Sequence, residues 1–225
     1  MKVLVIGHAR SGTTMLRRLI QQHPNIHAIF HEVFIISKHR KDKKKIFQWI
    51  DNRNLEGKNW GEKVPYLRVV RQGIGPIQYY RLWQDLFKDD AKVIHIVRHP
   101  YDSALSLKKK KSRKGQKTNL KMVLKRYKNV VPLMVKDIFS NENCMNVKYE
   151  ELVLHPIETL TEIYKFCGLR YDSKIVSKIS NSNNLKFGGI NSDRVFSYKK
   201  EGFSFEFDKE ELFEILNEIK GVKYE

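Results

Sequence analysis

The chain has 225 residues, 41% hydrophobic and 30% charged, with a formal net charge of +18. That length can bury a full core, the absence of a Pro/Gly/Ser-rich linker favours one domain over 1–225, and the composition excludes a chain disordered throughout. Two cysteines exclude a disulfide framework and cannot by themselves build a zinc site.

The apolar run at the start, Val3 to Ile6, is too short for a signal-peptide core or a membrane span, and no later stretch reaches spanning length. The chain therefore reads as soluble and cytoplasmic. Lys2–Ile6 predicts a parallel strand buried on both faces. Gly7–Gly12 predicts a tight loop, and Thr13 or Thr14 starts a helix through Met15, Leu16, Leu19 and Ile20 that stops near His23-Pro24. A short segment follows around Ile26–Phe30, then one polar helix over Phe34–Ile50 and a loop over Asp51–Gly61. A helix is expected from Gly75 to Phe87, after Lys63-Val64-Pro65.

Ala91–Val97 is the second clear strand, ended by Arg98-His99-Pro100 with Pro100 suited to a first helical turn. That helix runs to the lysines before Gly115, and a long one follows over Leu120–Phe139, where Pro132 predicts a kink or a break. Cys144–Val147 reads as a third strand. His155-Pro156 opens a helix capped by Gly168, and a final amphipathic helix covers Lys209–Ile219. The neighbours of Cys144 and Cys167 predict buried thiols rather than a nucleophile. Strands alternating with helices imply a three-layer α/β nucleotide-binding fold of the P-loop kind with a mostly parallel sheet, whose ligands bind at the carboxyl ends of strands.

Two runs concentrate the positive charge, KHRKDKKK at 38–45 and KKKKSRKGQK at 108–117. They are solvated faces or collectors of an anionic ligand. No zinc-finger spacing or RNA-binding aromatic motif supports nucleic acid as the partner.

The segment Gly7-His8-Ala9-Arg10-Ser11-Gly12-Thr13-Thr14 between strand and helix has the outline of a nucleotide phosphate loop, G-x-x-x-x-G-K-[ST]. Backbone N–H groups and the helix start surround an anion there, with threonine hydroxyls as further donors. Thr13 stands where the lysine of an ATPase would reach the outer phosphates, and the second strand ends in Arg98 rather than a metal-holding carboxylate. Arg10 supplies charge-assisted bonds instead. Arg98 emerges at the same sheet edge, and Ser106, two helical turns later, faces back toward it. Together they suit a phosphate on the ribose, which distinguishes a 3′-phosphorylated nucleotide from ATP.

The segments GHARSGTTMLRRLIQQHPNI, GEKVP, AKVIHIVRHPYDSALS and VKYEELVLHPIETLTEIYKFCGL, in that order, resemble the sulfotransferase family that uses 3′-phosphoadenylyl sulfate. The bacterial-type and protein-tyrosine branches are the most similar in feel. The resemblance covers roughly residues 1–170. It implies that Arg10, Ser11, Gly12, Thr13 and Thr14 contact the 5′-phosphosulfate, that Arg98 and Ser106 contact the 3′-phosphate, and that Tyr149 lies near the nucleotide. The tail GGINSDRVFSYKK resembles the family's closing segment, which places Ser192, Arg194 and Lys199 or Lys200 beside the co-substrate. Ala9 departs from the proline often found before the loop arginine, without removing an anion-binding group.

Sulfuryl transfer needs a base for the acceptor proton and cations for the leaving group. The resemblance implies Glu32 as the base and Lys63 of GEKVP as a cation on the transferred or bridging oxygens, with Arg10 acting similarly from the loop. His31 is the competing base. The acceptor is a hydroxyl or an amine on a glycan, a tyrosine or a small metabolite, and the positive charge suits an acidic one. No metal is expected. A small-molecule kinase with a degenerate loop and a non-enzymatic polyanion-binding protein are the alternatives.

Overall fold

The computed structural model describes residues 1–170, 192–202 and 209–224. Five strands, β1 (Lys2–Gly7), β2 (Ala28–His31), β3 (Trp60–Pro65), β4 (Ala91–Val97) and β5 (Cys144–Lys148), form one parallel sheet in the order β2-β3-β1-β4-β5. The central strand is buried at every position, as an apolar β-branched run covered on both faces must be.

Helices cover both faces. One face carries α1 (Thr13–Ile20), α8 (Tyr149–Leu154) and α9 (Pro156–Phe166), whose Leu16, Leu19, Leu152, Leu160 and Ile163 pack on Val3, Val5, Ile94 and Ile96. The other carries α2 (Ile35–His39), α3 (Lys43–Asp51), α4 (Tyr66–Val70), α5 (Pro76–Phe87) and α7 (Leu120–Phe139) on Leu4, Ile6, Trp60, Val64 and Val93. The helix numbered α11 (Glu210–Glu218) joins this second face through Leu212 and Leu216, while α6 (Pro100–Ser112) packs on α7 and on α10 (Ser197–Lys200). This is the expected three-layer arrangement. From β1 the chain leaves toward the β2 edge, and from β4 toward the β5 edge. The carboxyl ends of these two neighbours therefore open the crevice where such sheets bind ligands.

Several boundaries differ from the sequence reading. The single helix expected over Phe34–Ile50 is two, because the Asp42 side chain accepts from the Lys44 and Lys45 amides at 3.1 and 3.4 Å and starts α3. The segment around Ile26–Phe30 becomes β2, and the end of the expected loop, with Lys63-Val64-Pro65, becomes β3. WGEKVP has only two strong apolar positions, so its strand character comes from pairing between β1 and β2 rather than from propensity. Pro132 does not break α7. Its neighbours Val131, Met134 and Val135 are buried, and their burial outweighs the roughly 3 kcal/mol that a helix-interior proline costs.

Candidate active site

β1 ends at Gly7 against the β4 backbone, where any Cβ would lie 2.6 Å from the Ile96 carbonyl oxygen. The loop then folds on itself. The Ser11 amide and hydroxyl both donate to the His8 carbonyl, at 3.1 and 2.8 Å, and Arg10 takes a positive φ of 73°. Gly12, at φ 101°, turns the chain into α1 and offers no side-chain cap, so the helix's first amides are left open to a ligand at the crevice edge. The Tyr149 ring closes against Gly12 from α8, 2.5 Å from where a Cβ would stand.

Arg98 leaves β4 beside this loop and is 5% exposed. Its Nη1 donates to the Arg10 carbonyl at 3.4 Å and its Nη2 to the Arg194 carbonyl at 2.6 Å, while the guanidinium lies 4.3 Å over the Tyr149 ring. Asp102, one turn into α6, is 3.9 Å away, and its other oxygen accepts from the Ser197 hydroxyl and the Tyr198 amide. Arg98 Nε is buried without a partner among the described residues, which suits an incoming phosphate oxygen. Ser106 Oγ accepts from Arg10 Nε at 3.0 Å. Burial, and then the like charges of Arg98 and Arg194, push the Arg10 guanidinium below its ordinary value. Three arginines thus converge on the loop, with the carboxylates of Asp102 and buried Glu150 near Arg98.

On the other side of the crevice, β2 ends at His31 opposite Lys63 of β3, and Glu32 follows at φ 57°. Lys63 Nζ donates to Glu32 Oε1 at 2.9 Å and lies 3.2 Å from His31 Nε2, so both candidate bases share one ammonium. Arg68 Nε stands 3.3 Å from Glu32 Oε2. Burial pushes the Glu32 carboxyl up. The hydrogen bond and charge of Lys63, with His31 and Arg68, outweigh that and hold it below the usual carboxylate range. Burial, then Lys63, lowers the His31 imidazole, and burial lowers Lys63 despite Glu32. An ionised carboxylate and a buried ammonium, preset side by side, can take a proton and neutralise an oxyanion respectively.

The structure thus brings Arg10, Ser11, Gly12, Thr13, Thr14, Arg98, Ser106, Tyr149 and Arg194 to one side, and Glu32, His31 and Lys63 to the other. The rest of the tail is less engaged. Ser192 is exposed, Lys200 pairs with Asp193 at 3.5 Å, and the Lys199 ammonium lies 5.6 Å over the Phe196 ring. Gly188–Asn191 of the tail motif lie outside the described residues. Sequence reasoning missed Arg68, Lys110 of α6 and Glu62. Burial, then Arg10, Lys114 and Arg68, lowers Lys110, while Glu32 raises it, so its ammonium stands near the same mouth. A lysine in a run of lysines carries no signal of this kind. Cys144 and Cys167 are thiols that burial pushes up to about 12, unsuited to nucleophilic work. Among the described residues no helix is long and apolar enough to cross a membrane, and no cluster of His, Cys, Asp or Glu could hold a metal.

Anion-binding backbone and arginines facing an acid–lysine pair, at the carboxyl edge of a parallel sheet, describe an enzyme that transfers a group from a nucleotide. The family profile of the sulfotransferase domain matches residues 1–211, and the chain belongs to that family. It transfers a sulfuryl group from 3′-phosphoadenylyl sulfate to an acceptor. Solved structures share the fold at low identity. The sulfotransferase domain of the curacin biosynthetic pathway is 16% identical over 96% of both chains, with a TM-score of 0.63. That of the Synechococcus PCC 7002 olefin synthase is 17% identical over 96% of this chain and 92% of its own, at 0.62. The mouse sulfotransferase SULT7A1, complexed with PAP, is 16% identical over 86% of this chain and 68% of its own, at 0.57. No curated protein sequence matches the chain.

Proposed function

We propose that the phosphate loop and the arginines divide the donor between them. The amides and hydroxyls of Ser11–Thr14, with Arg10, take the 5′-phosphosulfate, and Arg98 with Ser106 and Arg194 takes the 3′-phosphate. The observation that carries this is Arg98, a buried guanidinium at the sheet's carboxyl edge whose Nη1 and Nη2 donate to the Arg10 and Arg194 carbonyls while Nε has no partner among the described residues. Glu32 is the general base and Lys63 the cation on the transferred oxygens. Lys63 occupies His31 Nε2, and His31 is half exposed, which favours Glu32 over the imidazole. As the acceptor oxygen attacks sulfur, its proton passes to Glu32 and the S–O bond to the 5′-phosphate breaks, leaving 3′-phosphoadenosine 5′-phosphate.

The acceptor is a hydroxyl on an acidic molecule. The donor's phosphates and sulfate are balanced by Arg10, Lys63, Arg98 and Arg194, yet Arg68 and Lys110 add two cations around the single carboxylate Glu32. Proton transfer to Glu32 moves that negative charge onto the products without changing the site's total, so the surplus from Arg68 and Lys110 is met by an anionic group on the acceptor. The GEKVP and VKYEELVLHP segments support a place near the bacterial-type and protein-tyrosine branches. We read 1–225 as one such domain, working in the cytoplasm.

Calorimetric titration with 3′-phosphoadenosine 5′-phosphate, alongside ATP with and without magnesium, tests the donor site. Metal-independent binding of the bisphosphate, weakened in Arg98→Ala and Arg10→Ala, is expected. Magnesium-dependent ATP binding in its place would overturn the assignment of these residues.

A further inference from the structure

β3 sets two ionisable residues side by side on opposite faces of the sheet. Lys63 reaches Glu32, whereas Glu62 points with Trp60 and Val64 into the core beneath α2 and α5, where it is 1% exposed. A carboxylate so buried must be satisfied by hydrogen bonds. Glu62 Oε2 accepts from the Tyr79 hydroxyl at 2.9 Å, and Oε1 accepts from the Phe34 amide. The amides of Val33 and Ile35 also favour its charged form.

All three amides belong to the turn that begins at Glu32 and enters α2. That turn holds two non-glycine residues in the left-handed region, Glu32 at φ 57° and Phe34 at φ 58°. Such conformations persist only where the surroundings impose them. Here the surroundings are β3. The Lys63 carbonyl accepts the Glu32 amide at 3.0 Å, its ammonium binds the Glu32 carboxylate, and the Glu62 carboxylate gathers the amides that follow.

We propose that Glu62 is a positioning residue for the acid–lysine pair: by tying down the amides of residues 33–35 it keeps Glu32 in the left-handed conformation that presents its carboxylate to Lys63. The consequence for turnover rests on Glu32 being the base, while the hold itself does not. Burial pushes the Glu62 carboxyl up to about 7, against the pull of those amides and of Tyr79. Tyr79 is the titratable side chain bonded to it, and Lys63 lies on the opposite face. Protonation removes the charge that gathers the amides, so the hold loosens as pH falls through neutrality.

Carbon-13 NMR of glutamate-labelled protein, with Glu32 assigned by its loss in Glu32→Gln, reads the position of the base without an acceptor. In Glu62→Ala the Glu32 titration should move up by about half a pH unit or more as it leaves Lys63. Glu62→Gln keeps one acceptor oxygen and should shift it less, and Tyr79→Phe least. Affinity for 3′-phosphoadenosine 5′-phosphate should stay within about twofold throughout, since the donor half is untouched. An unchanged Glu32 titration in the folded variants overturns the proposal, and if Glu62→Ala does not fold, the other two decide. If the bisphosphate fails to bind the wild-type protein, the donor assignment fails, and the Glu32 titration still decides this inference.

Discussion

The two sides of the crevice handle charge in opposite ways. Around the loop after β1, Arg10, Arg98 and Arg194 crowd one another and outnumber the carboxylates Asp102 and Glu150 near Arg98 among the described residues, so part of their charge awaits an anion. Around β2 and β3, Glu32 is already met by Lys63, Arg68 and His31 before anything binds. One side is built to gain its counter-charge from a ligand, the other to have its protonation state set in advance. Binding energy should therefore reside in the first and rate in the second.

The largest effect that would break this division is on turnover. Glu32→Gln removes the proposed base and should lower the transfer rate by about 10²–10⁴, as loss of a positioned general base does, with affinity for the bisphosphate unchanged. Single-turnover kinetics with calorimetry separates the two, and parallel losses in both would mean the sides are not independent. Arg98→Ala tests the converse. Truncating one member of a buried charge pair costs about 2–5 kcal/mol, so bisphosphate affinity should fall at least about thirtyfold. Gly12→Ala comes next. A Cβ at φ 101° and 2.5 Å from the Tyr149 ring forces the loop apart, costing about 1–3 kcal/mol in thermal unfolding and weakening the bisphosphate, while the Glu32–Lys63 pair stays in place.

Much of the loop side was legible in the sequence, and less of the pair side. The loop after β1 and the Arg98–Ser106 segment after β4 each sit at fixed offsets on a strand–loop–helix pattern, and a parallel sheet delivers the ends of both strands to one edge. Glu32 and Lys63 meet only because β2 and β3 pair in register, and β3 hides as a polar loop in the sequence. Glu62 was passed over for the same reason. Its role depends on amides 28 residues away in the chain and on Tyr79 from α5. Arg68 sits on α4, a five-residue helix with no sequence signal, and Lys110 is masked by its lysine neighbours.

The buried titratable groups sharpen the contrast through pH. Glu62 is raised from 4.5 to about 7, so its protonated form favours the folded state, and the stability it contributes at low pH is lost as pH rises from about 4.5 to 7. At 1.36 kcal/mol per unit this is on the order of 3 kcal/mol. His8 in the loop after β1 and His95 in β4 are lowered by burial from 6.5 to about 4, so they oppose it. Their contribution is present above 6.5 and lost as pH falls toward 4. The slopes partly cancel in the wild-type protein between 4.5 and 6.5. Glu62→Gln removes one of them, and urea unfolding of that variant should show stability climbing with pH across this window more steeply than in the wild type.

The smallest expected effect tests what the pair side presents to the acceptor. Lys110 is exposed on α6, so its attraction for an anion is screened and worth about 0.2–1 kcal/mol. With the bisphosphate bound, 4-hydroxyphenylacetate should bind the protein more tightly than its neutral amide. Lys110→Glu should reduce that preference by about two- to fivefold. Because the contact is in water, the preference should shrink between 0.05 M and 0.5 M salt, where the screening length falls to a few ångströms. An amide that binds as well as the acid at low salt would mean that Arg68 and Lys110 serve only to hold Glu32 ionised. The acceptor side would then be as self-contained in charge as the pair beneath it.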